Sequence, residues 1–401
     1  MKKEYMSMGR RIKVKTRRRP VSVVQVNYTF DKGLTDPDEL LDRYFTLTGW
    51  SEALIGAGAG PVAVVQRFHR ASRLTRNGVA YVFQPGRLSQ AVADIGPDIA
   101  HVNGLVFPAR TWMLRRVIPA RTAIVVQSHS AGGAIGRAPG LRRLARVARG
   151  AIDAFLFAAE EHAASWRRAG FVAPGRPTYQ VMEASTMVQP VNRAAARARS
   201  GMDGSPALLW VGRLNANKDP LTVLDGFERS LGALPAATVT MIYTAEDLLP
   251  AVRERIERSA VLKERVRLVG TVPHARLPEF YSAADMFVLG SHREGSGYAL
   301  MEACACGAVP VVTDIPTFRL LTGGVVGALW TPGDAAAFSR ALVDVSRRDL
   351  DAERARLADH FARELSWDAV GRRAVEIYEN VVNRHDRILR ARERMGDLGS
   401  W

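Results

Sequence analysis

Two cations lie in a loop between an apolar stretch and the start of a helix. The segment reads Trp210-Val211-Gly212-Arg213-Leu214-Asn215-Ala216-Asn217-Lys218-Asp219-Pro220. Asp219 followed by proline is typical of an N-cap and a first helical position, so Arg213 and Lys218 flank the amino end of a helix. Unpaired N–H groups and the helix dipole favour negative charge there. A planar guanidinium with a point-charge ammonium suits a diphosphate, although an ordinary solvated loop has the same composition.

A second polar segment follows the apolar stretch Met286–Leu289. It reads Ser291-His292-Arg293-Glu294-Gly295-Ser296-Gly297-Tyr298. Glycine lets a backbone amide approach a ligand where a Cβ would obstruct it, so Gly295 and Gly297 predict a loop that contacts a ligand. Glu294 lies on this loop, at the mouth of the same site.

Glu302 stands in the middle of an otherwise apolar helix predicted after this loop. An unpaired buried carboxylate costs several kcal/mol or takes up a proton. We therefore expect Glu302 to face a ligand, or else to form a buried ion pair with an arginine. The Gly-Ser-Gly triplet before it does not have the spacing of a hydrolase nucleophile elbow, and no Ser-His-Asp set presents itself.

The elements around these residues alternate between strands and helices. Asp36-Pro37 predicts a helix start, which explains Asp36 and Asp38 better than a metal site does. Gly56–Gly60 predicts a helix end before a strand rather than a dinucleotide-binding loop. Such alternation indicates parallel α/β sheets. The apolar, β-branched runs predict strands at 21–26, 62–65, 80–83, 99–102, 123–126, 155–157, 207–211, 238–243, 266–269, 286–289 and 309–313.

The alternation lapses around residues 185–206, where glycine, proline and an Ala/Arg run predict a linker between two α/β domains. Ligands of such sheets bind outside the carboxyl ends of the strands, which predicts a site in the cleft between the domains. We divide the chain into an arm at 1–20, a domain at 21–185, a linker at 186–206, a domain at 207–365 and a C-terminal segment at 366–401.

Composition excludes several classes of protein. With 47% hydrophobic and 24% charged residues, most of the chain is predicted to fold. No run of 18 apolar residues predicts a membrane-spanning helix. Cys304 and Cys306 are too few and too close for a disulfide framework or a zinc site. We therefore expect a cytoplasmic protein.

The first twenty residues form a basic arm with nine Lys or Arg residues and one acid, Glu4, so they contribute +8 of the formal +16. The apolar core of a signal peptide does not follow. The arm is predicted to be disordered, either as a solvated tail or as a segment attracted through residues 2–19 to an anionic membrane surface; nucleic acid is a weaker third interpretation.

Taken together, these motifs resemble those of the retaining family-4 glycosyltransferases of the GT-B fold, the glycosyl transferases group 1. The resemblance rests on Val211-Gly212-Arg213-Leu214 with Lys218-Asp219-Pro220, and on Glu294 and Glu302 with seven residues between them. It implies two Rossmann-like α/β domains facing each other across a cleft. The first would hold the acceptor, the second the nucleotide sugar, and the C-terminal helix would cross back to the first domain.

The resemblance also implies roles for residues of the second domain. Arg213 and Lys218, with Gly212 between the strand and the loop, would bind the donor diphosphate. Glu302 would accept hydrogen bonds from the nucleotide ribose, and Val272 would lie beside the base, in the loop 271–274. The remaining candidates would hold the transferred sugar: Glu294, with the amides of Gly295, Ser296, Gly297 and Tyr298.

In the first domain the resemblance is less complete. Val125-Val126-Gln127-Ser128-His129-Ser130 is similar to the strand end that brings a histidine to the donor sugar, which implies a catalytic role for His129. A lone histidine is also commonly structural. Many family members have a Gly-Gly loop after the first strand, whereas this chain has Asn27-Tyr28-Thr29-Phe30-Asp31-Lys32-Gly33 at that place.

The predicted reaction transfers a sugar from a nucleotide diphosphate sugar to an acceptor hydroxyl with retention of configuration, in the synthesis of a glycan, glycolipid or polysaccharide. Cations and helix N-termini, rather than a metal, would neutralise the leaving group. The acceptor is open, and a lipid-linked one is a hypothesis. A sugar-nucleotide epimerase of the same fold is the alternative, but it would need further acid/base groups. A nucleic-acid-binding protein would leave both motifs unexplained, and aromatics make up only 7% of the chain.

Overall fold

The computed structural model describes residues 19–104, 107–129 and 146–396, which form two α/β domains. The first domain is built on a sheet with the strand order β3-β4-β2-β1-β5-β6-β7-β8, parallel except for the edge strand β3. Its strands are β1 (Val23–Asn27), β2 (Val62–Arg67), β3 (Ser72–Arg76), β4 (Val79–Gln84), β5 (Ile99–Asn103), β6 (Ala123–Gln127), β7 (Ala154–Phe157) and β8 (Thr178–Gln180).

The second domain has a parallel sheet with the order β11-β10-β9-β12-β13-β14. The reversal of order on either side of β9 and β12 creates the crevice in which such sheets bind ligands. The strands are β9 (Ala207–Gly212), β10 (Thr238–Tyr243), β11 (Val266–Gly270), β12 (Met286–Leu289), β13 (Val309–Thr313) and β14 (Ala328–Trp330).

Helices cover the faces of both sheets. In the described part of the chain they are α1 (Pro37–Arg43), α2 (Phe45–Gly56), α3 (Leu88–Ile95), α4 (Pro108–Val117), α5 (Glu160–Arg168), α6 (Arg193–Ser200), α7 (Pro220–Ser230), α8 (Leu249–Glu257), α9 (Ala260–Arg265), α10 (Leu277–Ala283), α11 (Tyr298–Ala305), α12 (Pro316–Thr322), α13 (Ala335–Ser346), α14 (Leu350–His360) and α15 (Trp367–Gly396).

The strands predicted from apolar runs are confirmed, and three further strands were missed. The hairpin β3–β4 turns at Asn77-Gly78, where both residues have positive φ, so its turn residues were an available signal. Strand β3 alternates between half-buried and exposed residues and carries few apolar side chains. Strands β8 and β14 are three residues long, too short for a periodic pattern.

The predicted helix starts are confirmed at two places. Asp36 caps α1, its carboxylate accepting bonds from the N–H groups of Asp38 and Glu39, with Pro37 at the first helical position. Asp219 caps α7 in the same way, with Pro220 behind it. Helix α2 ends at Gly56, and β2 follows, as predicted from the glycine-rich stretch.

The stretch 186–206, predicted as a linker, contains the helix α6. Arg193 and Arg197 of this helix both bond the carboxylate of Asp285, at 2.5 and 2.7 Å. Arg354 of α14 bonds the same carboxylate at 2.8 Å. The Ala/Arg run therefore packs on the second domain through its arginines, a contact that its composition alone does not predict.

The C-terminal helix α15 packs against α2 of the first domain. Small residues allow the close approach: a Cβ on Gly371 would lie 2.2 Å from the carbonyl oxygen of Ala53, and one on Gly49 would lie 2.5 Å from the ring of Trp367. Of the basic arm, residues 1–18 lie outside the described residues. Arg19 bonds Asp98 at 2.9 Å.

Candidate functional site

The two polar segments meet at the carboxyl edge of the second sheet, because β9 and β12 are neighbours there. Gly290 makes the approach possible, since a Cβ at that position would lie 2.9 Å from the carbonyl oxygen of Asp219. The His292 N–H donates to the Asn217 carbonyl at 2.8 Å, and the Asn217 side chain donates to the Arg293 carbonyl at 3.0 Å. The loops are thus joined through their backbones.

A cavity of about 410 Å³ opens between these loops. Five of the residues predicted from sequence line it: Gly212, Arg213, Lys218, Val272 and Glu294. A cavity of this size is within the usual range for small-molecule sites, about 300–1,000 Å³.

Lys218 forms an ion pair with Glu294 inside this cavity. Ser291 adds a hydrogen bond of 2.6 Å to the same carboxylate oxygen. Both charged side chains are largely buried, whereas Arg213 is exposed. Lys218, predicted to bind the diphosphate, and Glu294, predicted to hold the transferred sugar, are therefore direct partners in the structure.

Glu302 is buried, with 6% of its surface exposed, and both of its oxygens have partners. Oε1 lies 2.8 Å from Nε2 of His274, and Oε2 accepts a hydrogen bond of 2.9 Å from the Tyr281 hydroxyl. The expectation of an arginine partner is wrong. Burial raises the pKa of Tyr281 well above its ordinary value, and the charge of Glu302 raises it further, so Tyr281 stays a donor.

The glycine-rich loop leads into α11 through Gly297, which has a φ of +67°. A Cβ there would also lie 2.8 Å from Leu321, so this glycine is required by local packing as well as by conformation. The Thr317 hydroxyl donates to the carbonyls of Glu294, at 2.7 Å, and Gly295, at 3.2 Å. These bonds fix the position of the loop.

Tyr298, the first residue of α11, faces the first domain, and its ring lies 6.4 Å from that of Phe45 on α2. Burial raises the pKa of Tyr298, and the negative charge of Glu183 raises it further, while a hydrogen bond with Ser296 opposes both. Because Glu183 belongs to the first domain, the two domains approach each other at the amino end of α11.

His129 lies at the end of β6 on the opposite side of the cleft. Its Nδ1 lies 2.9 Å from Oε2 of Glu183, whose side chain is buried. His129 and Glu183 both line a second cavity, of about 340 Å³, in the first domain.

Four residues of these sites were missed or left without a role by sequence reasoning: Glu183, His274, Tyr281 and Ser291. The available signal for Glu183 was an acidic residue in an apolar stretch after β8, the same signal that marked Glu302. Tyr281 and Ser291 carry no such signal, since tyrosine and serine are common in helices and loops.

No group of three His, Cys, Asp or Glu residues in the described part of the chain lies close enough to hold a metal ion. None of the described helices is both long and apolar enough to cross a membrane.

The chain is similar to known proteins in sequence and in fold. It is 29% identical over 202 residues to mannosylfructose-phosphate synthase from Agrobacterium fabrum, an alignment that covers 48% of this chain and 44% of that protein. The chain spans about half the length of the curated relatives it matches.

Two solved structures resemble the whole fold. Sucrose-phosphate synthase from Thermosynechococcus elongatus has a TM-score of 0.62 at 18% identity, covering 92% of this chain and 100% of that one. The E. coli trehalose-6-phosphate structure bound with UDP-2-fluoro glucose has a TM-score of 0.63 at 12% identity, covering 89% and 99%. The chain therefore has the GT-B fold, and its residues 205–348 match the family model described as Glycosyl transferases group 1.

Proposed function

We propose that this protein is a retaining glycosyltransferase that moves a sugar from a nucleotide diphosphate sugar to an acceptor hydroxyl. The observation that carries the proposal is the cavity at the carboxyl edge of the second sheet. It combines two cations, Arg213 and Lys218, with the carboxylate Glu294. Residues 205–348, which contain all three, are the part that matches the group 1 glycosyl transferases.

In this reaction the bond between the sugar C1 and the diphosphate oxygen breaks, and its electron pair goes to that oxygen. A bond from the acceptor oxygen to C1 forms on the same face. The acceptor proton passes to the departing phosphate oxygen, so charge and atoms balance. Arg213 and Lys218 would stabilise the negative charge that develops on the diphosphate.

The donor is proposed to be a uridine or other nucleotide diphosphate sugar, by analogy with the E. coli structure that is bound with UDP-2-fluoro glucose. Glu302 would hold the ribose. A carboxylate has about four acceptor sites, of which His274 and Tyr281 use two, so two remain for ribose hydroxyls. Val272 would pack beside the base.

The transferred sugar would lie between Glu294, with the loop Gly295-Ser296-Gly297-Tyr298, and His129 across the cleft. Nδ1 of His129 lies 2.9 Å from the Glu183 carboxylate, so Nε2 is the ring nitrogen that would face a sugar hydroxyl. The closeness of Tyr298 to Glu183 supports this placement, because it brings the two halves of the site together.

The proposal includes no metal cofactor, because the leaving group would be neutralised by Arg213 and Lys218. It places the enzyme in the cytoplasm, at the inner face of a membrane when residues 2–19 bind anionic lipid, with an acceptor that is lipid-linked in that case. No nucleic-acid partner is proposed.

A panel of nucleotide diphosphate sugars tested by thermal shift identifies the donor. A true donor at about 100 times its Kd adds about 2.7 kcal/mol of stability. Transfer is then measured as release of nucleoside diphosphate, and the anomeric configuration of the product is read by NMR. Arg213→Ala should lower turnover by about 100- to 1,000-fold, while the exposed Arg340→Ala on α13 serves as the matched control. Activity should persist in EDTA.

Three results would contradict parts of this proposal. Abolition by EDTA with rescue by a divalent ion excludes the metal-free mechanism. A product of inverted configuration excludes retention. Conversion of the sugar nucleotide to its epimer without any acceptor supports the epimerase alternative, which the comparisons do not favour.

A further inference from the structure

The cavity in the first domain is lined by side-chain amides at the carboxyl ends of four neighbouring strands. Its volume is about 340 Å³, near the lower end of the usual range for ligand sites. We call it the N-terminal cavity. The amides come from β1, β2, β5 and β6, and they are Gln25, Asn27, Gln66, Asn103 and Gln127.

Three of these amides are held in fixed orientations. Gln66 donates to the carbonyls of Thr29, at 2.9 Å, and Arg67, at 2.8 Å. Gln25 donates to the Ser51 hydroxyl at 2.8 Å, and its carbonyl oxygen accepts from Asn103 at 3.0 Å. A strand end carrying oriented amides is a rigid place for a binding site, because the sheet limits the movement of each side chain.

Four buried polar atoms of lining residues make no hydrogen bond to the described residues: Oε1 of Gln66, Nε2 of Gln127, Nε1 of Trp166 and Oε2 of Glu183, which lies within ion-pair distance of His129. Gln66 is 3% and Gln127 1% exposed. A buried donor or acceptor without a partner is costly, so such groups are normally satisfied by water or by a ligand. Two acceptors and two donors point to a ligand that can both donate and accept.

The charges in the N-terminal cavity are acidic. Asp31 and Glu183 line it, and none of the described lining residues is a lysine or an arginine. The nearby guanidinium groups of Arg67 and Arg110 stack on the rings of Phe30 and Tyr28, at 4.9 and 5.2 Å, outside the lining. A phosphate group, with a charge of about −2, would meet two carboxylates here.

Aromatic side chains complete the lining. Tyr44, Trp50, Phe107 and Trp166 provide apolar area beside the amides. Apolar walls with a few oriented polar groups are typical of sites for small ligands. A sugar or cyclitol ring has both kinds of surface, with C–H groups on its faces and hydroxyls at its edges, and each hydroxyl donates and accepts.

We infer that the N-terminal cavity binds the acceptor, and that this acceptor presents an unphosphorylated sugar or cyclitol ring to it. The inference rests on the proposed function and adds the chemical class of the acceptor. His129 and Glu183 line the same cavity, and Tyr298 of the second domain lies 6.4 Å, ring to ring, from Phe45, whose neighbours Tyr44 and Thr46 line the cavity. A ring bound here therefore lies beside the proposed site of the transferred sugar.

The test compares acceptors that differ only by a phosphate group. With the donor selected by thermal shift, kcat/KM is measured for myo-inositol and its 3-phosphate, fructose and its 6-phosphate, and glucose and its 6-phosphate. Binding of each compound in the presence of UDP is measured by calorimetry. We expect at least a 10-fold preference for the unphosphorylated compound in the pair that is used. A preference for the phosphorylated compound, or failure of every unphosphorylated one to bind or react, overturns the inference.

Two variants test the cavity itself. Asn27→Leu removes one lining amide and should lower kcat/KM for the neutral acceptor about 3- to 10-fold without changing the donor-induced thermal shift. Gln90→Leu, an exposed amide on α3 outside the cavity, is the matched control. Thr29→Arg adds a cation at an exposed lining position and should improve use of the phosphorylated compound. An Asn27→Leu protein with unchanged acceptor kinetics would place the acceptor elsewhere.

Failure of the inference is distinguishable from failure of the proposed function. If a nucleotide diphosphate sugar stabilises the protein and is slowly hydrolysed, but phosphorylated acceptors are preferred, only the inference fails. If no nucleotide diphosphate sugar binds or is turned over, the proposed function fails, and with it the inference.

Discussion

At the scale of the residue, the Glu302 carboxylate joins a loop to a helix through two hydrogen bonds. His274 belongs to the loop after β11, and Tyr281 belongs to α10. Because each oxygen of the carboxylate has a hydrogen-bond partner, Glu302 can be buried in an apolar helix without an arginine beside it. Its burial therefore does not by itself require a ligand, and the ribose role needs a direct test.

Glu302→Gln is the first prediction. The amide keeps the shape of the carboxylate and can still accept from Tyr281, so the free energy of unfolding should change by less than about 1 kcal/mol. Donor affinity should fall about 5-fold, because a hydrogen bond to a charged group stabilises by about 1 kcal/mol more than a neutral one. Donor titration by calorimetry measures the effect. Wild-type donor affinity in this variant would remove the ribose role.

Tyr281→Phe is the matched contrast. It leaves one buried oxygen of Glu302 without its donor, so it should reduce the free energy of unfolding by about 1–3 kcal/mol. Urea denaturation of the two variants therefore separates the structural bond from the donor-binding role.

The second prediction concerns the contribution of the ion pair Lys218–Glu294 to stability. Each single substitution, Lys218→Ala or Glu294→Gln, leaves a largely buried partner incompletely paired, and the double substitution leaves neither. The two effects on the free energy of unfolding should therefore be non-additive by about 0.5–3 kcal/mol. A double-mutant cycle in urea measures this coupling. Additive effects on the free energy of unfolding would mean that the ion pair does not stabilise the loop. Turnover is measured separately and should fall in every variant that lacks the Lys218 cation.

At the scale of the element, the packing of α15 on α2 holds the C-terminal helix on the first domain. The third prediction concerns Gly371, where a Cβ would lie 2.2 Å from the Ala53 carbonyl oxygen. Gly371→Ala should destabilise the protein by about 1–3 kcal/mol, as overpacking does. Gly232→Ala is the matched control, because a Cβ there meets nothing within 4 Å. Equal unfolding midpoints in the two variants would show that α15 can move away from α2 without loss of stability.

The same interface contains a buried histidine that makes stability depend on pH. The Tyr378 hydroxyl of α15 lies 2.6 Å from Nδ1 of His101 on β5, and Trp50 of α2 donates to that hydroxyl at 3.3 Å. Burial, together with the nearby charge of His129, lowers the pKa of His101 to about 3. His101 is therefore neutral in the folded protein at pH 5 to 7.

The fourth prediction follows from this pKa. The folded value lies below the ordinary value of about 6.5, so the unfolded chain binds the proton first and stability is lost as pH falls below 6.5. The loss from His101 between pH 7 and pH 5 should be about 2 kcal/mol. Urea denaturation at both pH values measures it, with His101→Asn as the comparison that cannot titrate. An identical pH dependence in both proteins would contradict the prediction.

At the scale of the whole molecule, the basic arm is the largest concentration of charge. Arg19 bonds Asp98, so the fifth prediction removes only residues 2–18, with eight Lys or Arg residues and Glu4. Each such cation near an anionic leaflet gains about 1 kcal/mol, reduced by salt. Truncation should reduce sedimentation with anionic vesicles and leave turnover on a soluble acceptor unchanged. A variant with serine at the eight basic positions keeps the length of the arm and serves as control. Equal partitioning of the truncated and full-length proteins would leave the arm as a solvated tail.

The sequence by itself determined the local features of the fold. Apolar runs of four to six residues marked the buried parallel strands, because both faces of such strands are covered. Asp219 with Pro220, and Asp36 with Pro37, marked helix starts, because a cap is formed by neighbouring residues. The motifs around Arg213, Lys218, Glu294 and Glu302 were visible for the same reason, since each lies within one loop and the helix that follows.

Only the tertiary structure decided which distant groups meet. Glu183 and His129 are 54 positions apart, and the amides of the N-terminal cavity come from four strands that sheet topology places side by side. The hydrogen bonds of Glu302 and the ion pairs of α6 with Asp285 are also contacts between residues far apart in the sequence. A single sequence records residue types and local spacing, whereas contacts between distant segments depend on how whole elements pack. That is the physical reason the motifs of the second domain were predicted while the N-terminal cavity was not.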